Sequence, residues 1–164
     1  IEEVGKEFGA LTGREYGYFD EFMLEDAELV IVALGSTAGT AKETARRLRA
    51  EGVKAGVLKI RMFRPFPGDE IAAALAGSKA VAVLDRSISF GLEGGPLFHE
   101  MRSHAFGTNL TLVPYVYGLG GRDINVSQLR EVYGQLAEHA TGAPVPKEMR
   151  FVGVRSDEAC TICS

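Results

Sequence analysis

The residues whose types and spacing could do chemistry collect at three glycine-rich corners. They read Gly35-Ser36-Thr37, then Ser89-Phe90-Gly91-Leu92-Glu93-Gly94-Gly95-Pro96, then Gly118-Leu119-Gly120-Gly121-Arg122-Asp123. Each follows an apolar, strand-like run and precedes a helical pattern. In an open α/β sheet such corners gather at the carboxyl edge, where ligands and partners dock. Glycine there permits close backbone approach, and the helix N-termini behind it offer free N–H groups. The pattern reads as one edge of backbone presented to something else, with no evident catalytic centre.

The first corner, Gly35-Ser36-Thr37-Ala38-Gly39, has two readings. One is a phosphate cradle. The favoured one is a tight βα turn capped by Ser36 or Thr37, because the Walker lysine and the G-x-G-x-x-G spacing are both missing. The second corner, Asp85 to Pro96, is longer than the roughly 2–6 residues such connections need. Its surplus backbone carries Arg86, Ser87, Ser89, Glu93, Gly94 and Gly95 and reads as functional, facing a ligand or, preferably, a neighbouring domain. In the third corner, Gly120 and Gly121 precede Arg122 and Asp123. Either Asp123 and Asn125 compete for the helix cap with Arg122 in solvent, or Arg122 pairs with a carboxylate across a subunit contact.

Arg61 and Arg64 flank two aromatics ahead of Pro65 and could bind an anionic group, although an exposed loop arginine is the commoner outcome. His99 and His104 are five apart, so on a helix they point about 140° from each other and cannot share a metal. With His139 they read as structural or solvated. Cys160-Thr161-Ile162-Cys163 supplies two ligands where structural zinc or a cubane cluster needs four. It reads as a free dithiol.

The elements that must position these residues alternate between strand and helix. Leu29–Leu34, Lys54–Ile60, Ala80–Leu84 and Leu110–Tyr117 are apolar runs of the kind that parallel sheets bury on both faces. Arg14–Phe19 reads as a short edge strand. A helix follows Ser36, with Ala41, Thr44, Ala45 and Leu48 on one face and Gly52 at its end. A short helix starts at Asp69 and Glu70, and another at Pro96, a favoured first helical position. The last helix opens with a capping box, Asn125-x-x-Gln128. This alternation predicts a mostly parallel, five-stranded sheet covered by helices on both faces. Residues 1–13 read as a linker or incoming segment, 14–140 as the domain, and 141–164 as a tail.

Composition narrows the class. The chain has 164 residues, 46% apolar and 24% charged, with a net charge of −4. Its size suits one domain with a real core. Its acidity argues against nucleic acid as the main partner. No run approaches the roughly 18 apolar residues of a membrane helix. The acidic start, Ile1-Glu2-Glu3, lacks Met and an apolar core, so the expectation is an excised piece of a longer cytoplasmic protein.

Five stretches taken in order resemble the α subunit of pyruvate:ferredoxin oxidoreductase. They are Val30–Ser36, Lys59–Pro67, Val83–Arg86, Gly94–Phe98 and Tyr117–Asp123. The likeness is to core domain II of that enzyme, which is akin to the transketolase C-terminal domain, and covers about Arg14 to Ala140. It implies a three-layer α/β/α sandwich with a mainly parallel sheet of about five strands. It also implies a complex that decarboxylates a 2-oxo acid on thiamine diphosphate, passes electrons through iron–sulfur clusters to ferredoxin, and gives the acyl group to coenzyme A. In the family, other domains hold the diphosphate and its magnesium. In agreement, Gly68-Asp69-Glu70 departs from the Gly-Asp-Gly start of a thiamine-diphosphate motif, and cluster-binding cysteine arrays are missing.

The expectation is therefore a non-catalytic domain that binds no cofactor alone and packs its glycine-rich edge on sister domains or subunits, with ferredoxin an indirect partner. One alternative is a module that holds coenzyme A or phosphate on the same edge. A second is the transketolase or 2-oxo acid dehydrogenase β-chain group, against which the Gly118–Asp123 signature argues.

Overall fold

A computed structural model describes residues 2–154. The elements run α1 (Glu2–Thr12), β1 (Phe19–Phe22), β2 (Leu29–Leu34), α2 (Thr37–Ala50), β3 (Ala55–Ile60), α3 (Gly68–Ala74), β4 (Ala80–Asp85), α4 (Pro96–His104), β5 (Leu112–Tyr117), a 3₁₀ turn (Leu119–Gly121), α5 (Val126–Ala140) and β6 (Arg150–Val152). The strands form one sheet in the order β1-β3-β2-β4-β5-β6. β3, β2, β4, β5 and β6 are parallel to their neighbours. Only β1 is antiparallel, with Phe19 opposite Ile60 and Phe22 opposite Val57.

The two-sided burial expected of the central strands is present. Every residue of β4 is buried, as are the first five of β2. Successive side chains point to opposite faces of a strand. Leu29, Ile31 and Ala33 therefore pack with Ala41, Ala45 and Leu48 of α2 and with Leu129, Val132, Tyr133 and Leu136 of α5. Val30 and Val32 enter the opposite core, under Ile71 of α3 and Leu97, Phe98 and Met101 of α4. The result is the three-layer α/β/α sandwich. Small residues let the helices sit close, since Ala41, Ala45, Ala55, Ala80 and Ala82 are fully buried. One polar group in the core is satisfied locally: the Tyr133 hydroxyl donates to the Gly56 carbonyl at 2.8 Å. Burial pushes that hydroxyl far above the usual tyrosine range.

Three expectations need correction. The sheet has six strands, because Arg150–Val152 in the segment read as a tail pairs with Tyr115–Tyr117. Three residues behind Pro144 and Pro146 are too few to show a period. The edge strand lies at Phe19–Phe22 rather than Arg14–Phe19; its acidic pair, Asp20 and Glu21, is tolerated because the edge is half open to water. Residues read as linker form α1, whose Gly5 and Gly9 dilute the helical pattern. Gly5 is placed where a Cβ would lie 2.6 Å from the Tyr16 carbonyl oxygen. Cys160 and Cys163 lie outside the described residues.

Candidate functional site

The parallel register puts the C-terminal ends of β2, β4 and β5 side by side on one edge of the sheet. A cleft of about 280 Å³ opens there, walled by Ser36, Thr37, Arg86, Tyr117, Arg122 and Asp123. It draws on all three corners, but unequally. The first contributes Ser36 and Thr37, the third contributes Arg122 and Asp123, and the second contributes only Arg86.

The first corner is held from across the sheet. Gly35 takes φ +69 and swings the chain from β2 into α2. Ser36 sits at the helix cap, yet its side chain makes no capping bond. Thr37 does not cap either. Its hydroxyl lies 2.7 Å from the Tyr117 hydroxyl, in a buried bond that ties the start of α2 to the end of β5. The expected cap by Ser36 or Thr37 is therefore replaced by a tertiary bond.

The third corner is a left-handed turn. Gly118, Gly120 and Gly121 all have positive φ. Asn125 caps α5 in the expected capping box, accepting from the Gln128 amide while Gln128 accepts from the Asn125 amide. Asp123 therefore leaves the cap to Asn125. Arg122 is exposed, and its Nη1 donates to the Gly153 carbonyl at 2.7 Å. The Arg122–carboxylate alternative finds no acid within this chain's described residues.

The second corner divides around Asp85, the last residue of β4. Its two carboxylate oxygens accept the Leu97 and Phe98 amides at 3.0 Å each, closing the free N-terminus of α4 from outside the helix. Burial raises the Asp85 pKa, and those two amide bonds oppose the rise. Gly95 is needed for this contact, since a Cβ there would lie 2.2 Å from the Asp85 side chain. Gly94 takes φ +100 and would strike the Phe98 ring. Ser89 closes the loop, its amide donating to the Gly94 carbonyl at 2.9 Å. Ile88, Phe90 and Leu92 project into solvent. Glu93 leaves the cleft. It accepts the Met149 amide and borders a separate groove of about 680 Å³ that includes Phe98, Phe106, Pro114 and Val145.

Arg64 also lies outside the cleft. Its guanidinium covers the Phe63 ring at 4.2 Å and bonds Glu100 on α4 at 2.7 Å. Arg61 covers Tyr16 and faces Asp20. His104 meets Asp69, and buried His139 meets the Ala143 carbonyl and Arg150. The buried Nε2 of His99 has no partner among the described residues. Among the described residues no three His, Cys, Asp or Glu side chains converge on a metal position. None of the described helices is long and apolar enough to cross a membrane.

Sequence reasoning missed Asp85 and Tyr117 as working residues and gave Thr37 a cap in place of its bond to Tyr117. An acid ending a buried strand was the available signal for Asp85. Nothing local could have paired Thr37 with Tyr117, which are 80 residues apart.

The family model for pyruvate:ferredoxin oxidoreductase core domain II matches residues 27–129, which include all three corners. The pyruvate synthase subunit PorA of Thermotoga maritima is 43% identical over 155 residues, 93% of this chain and 38% of that protein. The ketoisovalerate oxidoreductase subunit VorA of Pyrococcus horikoshii is 39% identical, over 92% of this chain and 39% of that protein. The chain thus spans well under half the length of the curated relatives it matches. A solved 2-oxoglutarate:ferredoxin oxidoreductase from Magnetococcus marinus superposes with a TM-score of 0.58 at 23% identity, over 82% of this chain and 21% of that one, a likeness of fold. These matches favour the ferredoxin-linked branch over the transketolase and dehydrogenase β-chain alternative: the chain belongs to the family of pyruvate:ferredoxin oxidoreductase core domain II.

Proposed function

We propose that this chain is the non-catalytic core domain II of the α subunit of a cytoplasmic 2-oxoacid:ferredoxin oxidoreductase. It supports oxidative decarboxylation of pyruvate to acetyl-coenzyme A by docking its carboxyl-edge rim on sister domains or subunits. Its docking residues are those of the glycine corners: Gly35 and Ser36, then Arg86, Ser89, Gly94 and Gly95, then Gly120, Gly121, Arg122 and Asp123. Glu93 and Arg64 flank them. Electrons reach ferredoxin through other parts of the complex.

The observation that carries this reading is where the carboxylates are. A thiamine-diphosphate site needs an acid free to face the coenzyme or its metal. Asp85, the buried acid at the rim, has both oxygens on α4 amides. Asp69 and Glu70 start α3, where Asp69 is exposed and faces His104. Asp123, exposed at the cleft beside Arg86 and Arg122, is the remaining rim acid, and no step through the coenzyme is assigned to this domain. In support, a closely similar domain occurs in relatives named for two different 2-oxo acids, pyruvate and ketoisovalerate.

A domain exchange tests this. The matching segment of a pyruvate synthase α subunit and of a ketoisovalerate oxidoreductase α subunit is replaced by this chain. Each chimera should assemble, turn over, and keep its host's preference. A chimera that assembles and takes on a new 2-oxo acid preference would place specificity in this domain and overturn the reading.

A further inference from the structure

Nine of the described lysines and arginines have a carboxylate partner. Arg46 and Arg47 share Glu43, Arg49 meets Asp26, and Arg64 meets Glu100. Arg86 and Arg122, on two different loops, wall the same cleft and have no such partner among the described residues. Both are nonetheless held. Arg86 lies across the Tyr117 ring, 5.5 Å from its centroid, and its Nη2 reaches the Arg122 carbonyl at 3.5 Å. Arg122 is anchored through Nη1 to Gly153. A guanidinium carries five N–H donors in a fixed fork. Fixing each one through a ring face or a single bond leaves the other donors free.

The backbone is shaped around this arrangement. Gly118 has φ +68, and a Cβ there would lie 2.9 Å from the Arg86 guanidinium. A side chain there would press on the Arg86 guanidinium and would have to adopt the left-handed backbone angle. Ser36 adds to the lining a hydroxyl that makes no bond among the described residues. Asp123 is the one acid in the cleft and offsets one of the two positive charges. The cleft stays cationic, rich in donors, and larger than the roughly 30 Å³ one water occupies in the liquid.

We propose that this cleft binds an oxyanion, a carboxylate or a phosphate, between the Arg86 and Arg122 guanidiniums with Ser36 as a third donor. Arginine is suited to both anions because its fork matches their paired oxygens. The proposal goes beyond the docking role and does not depend on it: a cleft that binds no anion would leave the domain exchange above unaffected.

The test is a heteronuclear NMR titration of the whole chain at constant ionic strength with inorganic phosphate, pyrophosphate and glutarate. The expected result is saturable shifts confined to the amides of Ser36, Thr37, Arg86 and Gly118–Asp123. Affinity should fall about tenfold or more in Arg86→Gln, the size of one charge-assisted contact, and saturation should vanish in Arg86→Gln/Arg122→Gln. Saturation by phosphate or pyrophosphate alone marks a free phosphate-bearing ligand. Saturation by glutarate as well marks a carboxylate offered by a neighbouring domain. Either supports the site. Arg86→Lys keeps the charge without the fork and should bind with intermediate strength, and melting curves of each variant confirm the fold. No saturation with any probe, or saturation unchanged in the double variant, overturns the proposal.

Discussion

Two corners of the rim use glycine for opposite physical reasons. At Gly94-Gly95 the backbone is buried, and the missing side chains make room for Asp85 and the Phe98 ring. At Gly120-Gly121 nothing lies within 4 Å of where a Cβ would stand, and the requirement is the left-handed backbone itself. The Gly94-Gly95 corner is built inward, to fasten α4 onto β4. The Gly120-Gly121 corner is built outward, to carry Arg122 to the cleft. In the sequence both look like the same glycine-rich loop. Glycine content therefore marks a constraint without saying whether packing or presentation imposes it.

The sharpest break of this comparison is Gly95→Ala. A Cβ 2.2 Å from the Asp85 side chain must displace a carboxylate that holds two amides. A loss of about 3 kcal/mol or more is expected from overpacking and the lost bonds together. Urea unfolding measures it; a loss under about 1 kcal/mol would show that the corner yields easily. Asp85→Asn should follow, at about 1–3 kcal/mol, because the amide nitrogen of Asn meets an N–H donor where a carboxylate oxygen accepted one.

The same residue gives a pH signature. Burial raises the Asp85 pKa in the folded state above its unfolded value. Between those two values the native state binds more protons, so the Asp85 contribution to stability is fullest below the unfolded pKa and declines as pH rises through the folded one. Asp85→Asn should lose that decline. A wild-type and a variant stability profile that run parallel across the acid range would contradict the assignment.

Gly120→Ala should cost less than Gly95→Ala, about 1–2 kcal/mol or roughly 2–8 °C in Tm, since only the left-handed angle is penalised. Gly120→Asn should recover part of that, because Asn tolerates this region. Equal losses for Ala and Asn would show that space, not backbone angle, limits the outward corner. Smallest of all in stability is Arg122→Ala, within about 0.5 kcal/mol for an exposed side chain. Its effect should emerge in sedimentation with partner subunits, as weakened assembly. Unchanged assembly would remove Arg122 from the docking surface.

The layers of the fold were legible because the signals are local. Leu29–Leu34 and Ala80–Leu84 announce strands buried on both faces, Pro96 opens α4, and Asn125-x-x-Gln128 caps α5 as expected. The misses were elements whose partners are distant. β6 exists because β5 offers it an edge, and α1 hides behind two glycines that Tyr16 and Glu15 require. The rim was legible as a rim, yet its division was not. Whether Glu93 faces the cleft depends on its bond to Met149, 56 residues away, and Arg64 is drawn off by Glu100. Loop composition carries neither fact.

The account rests on this domain shaping a complex whose reacting groups lie elsewhere. The most direct measurement is turnover by this chain alone, supplied with pyruvate, thiamine diphosphate, magnesium, coenzyme A and an artificial electron acceptor. The account predicts no acceptor reduction above the protein-free background. Pyruvate-dependent reduction sustained by this chain alone would contradict it.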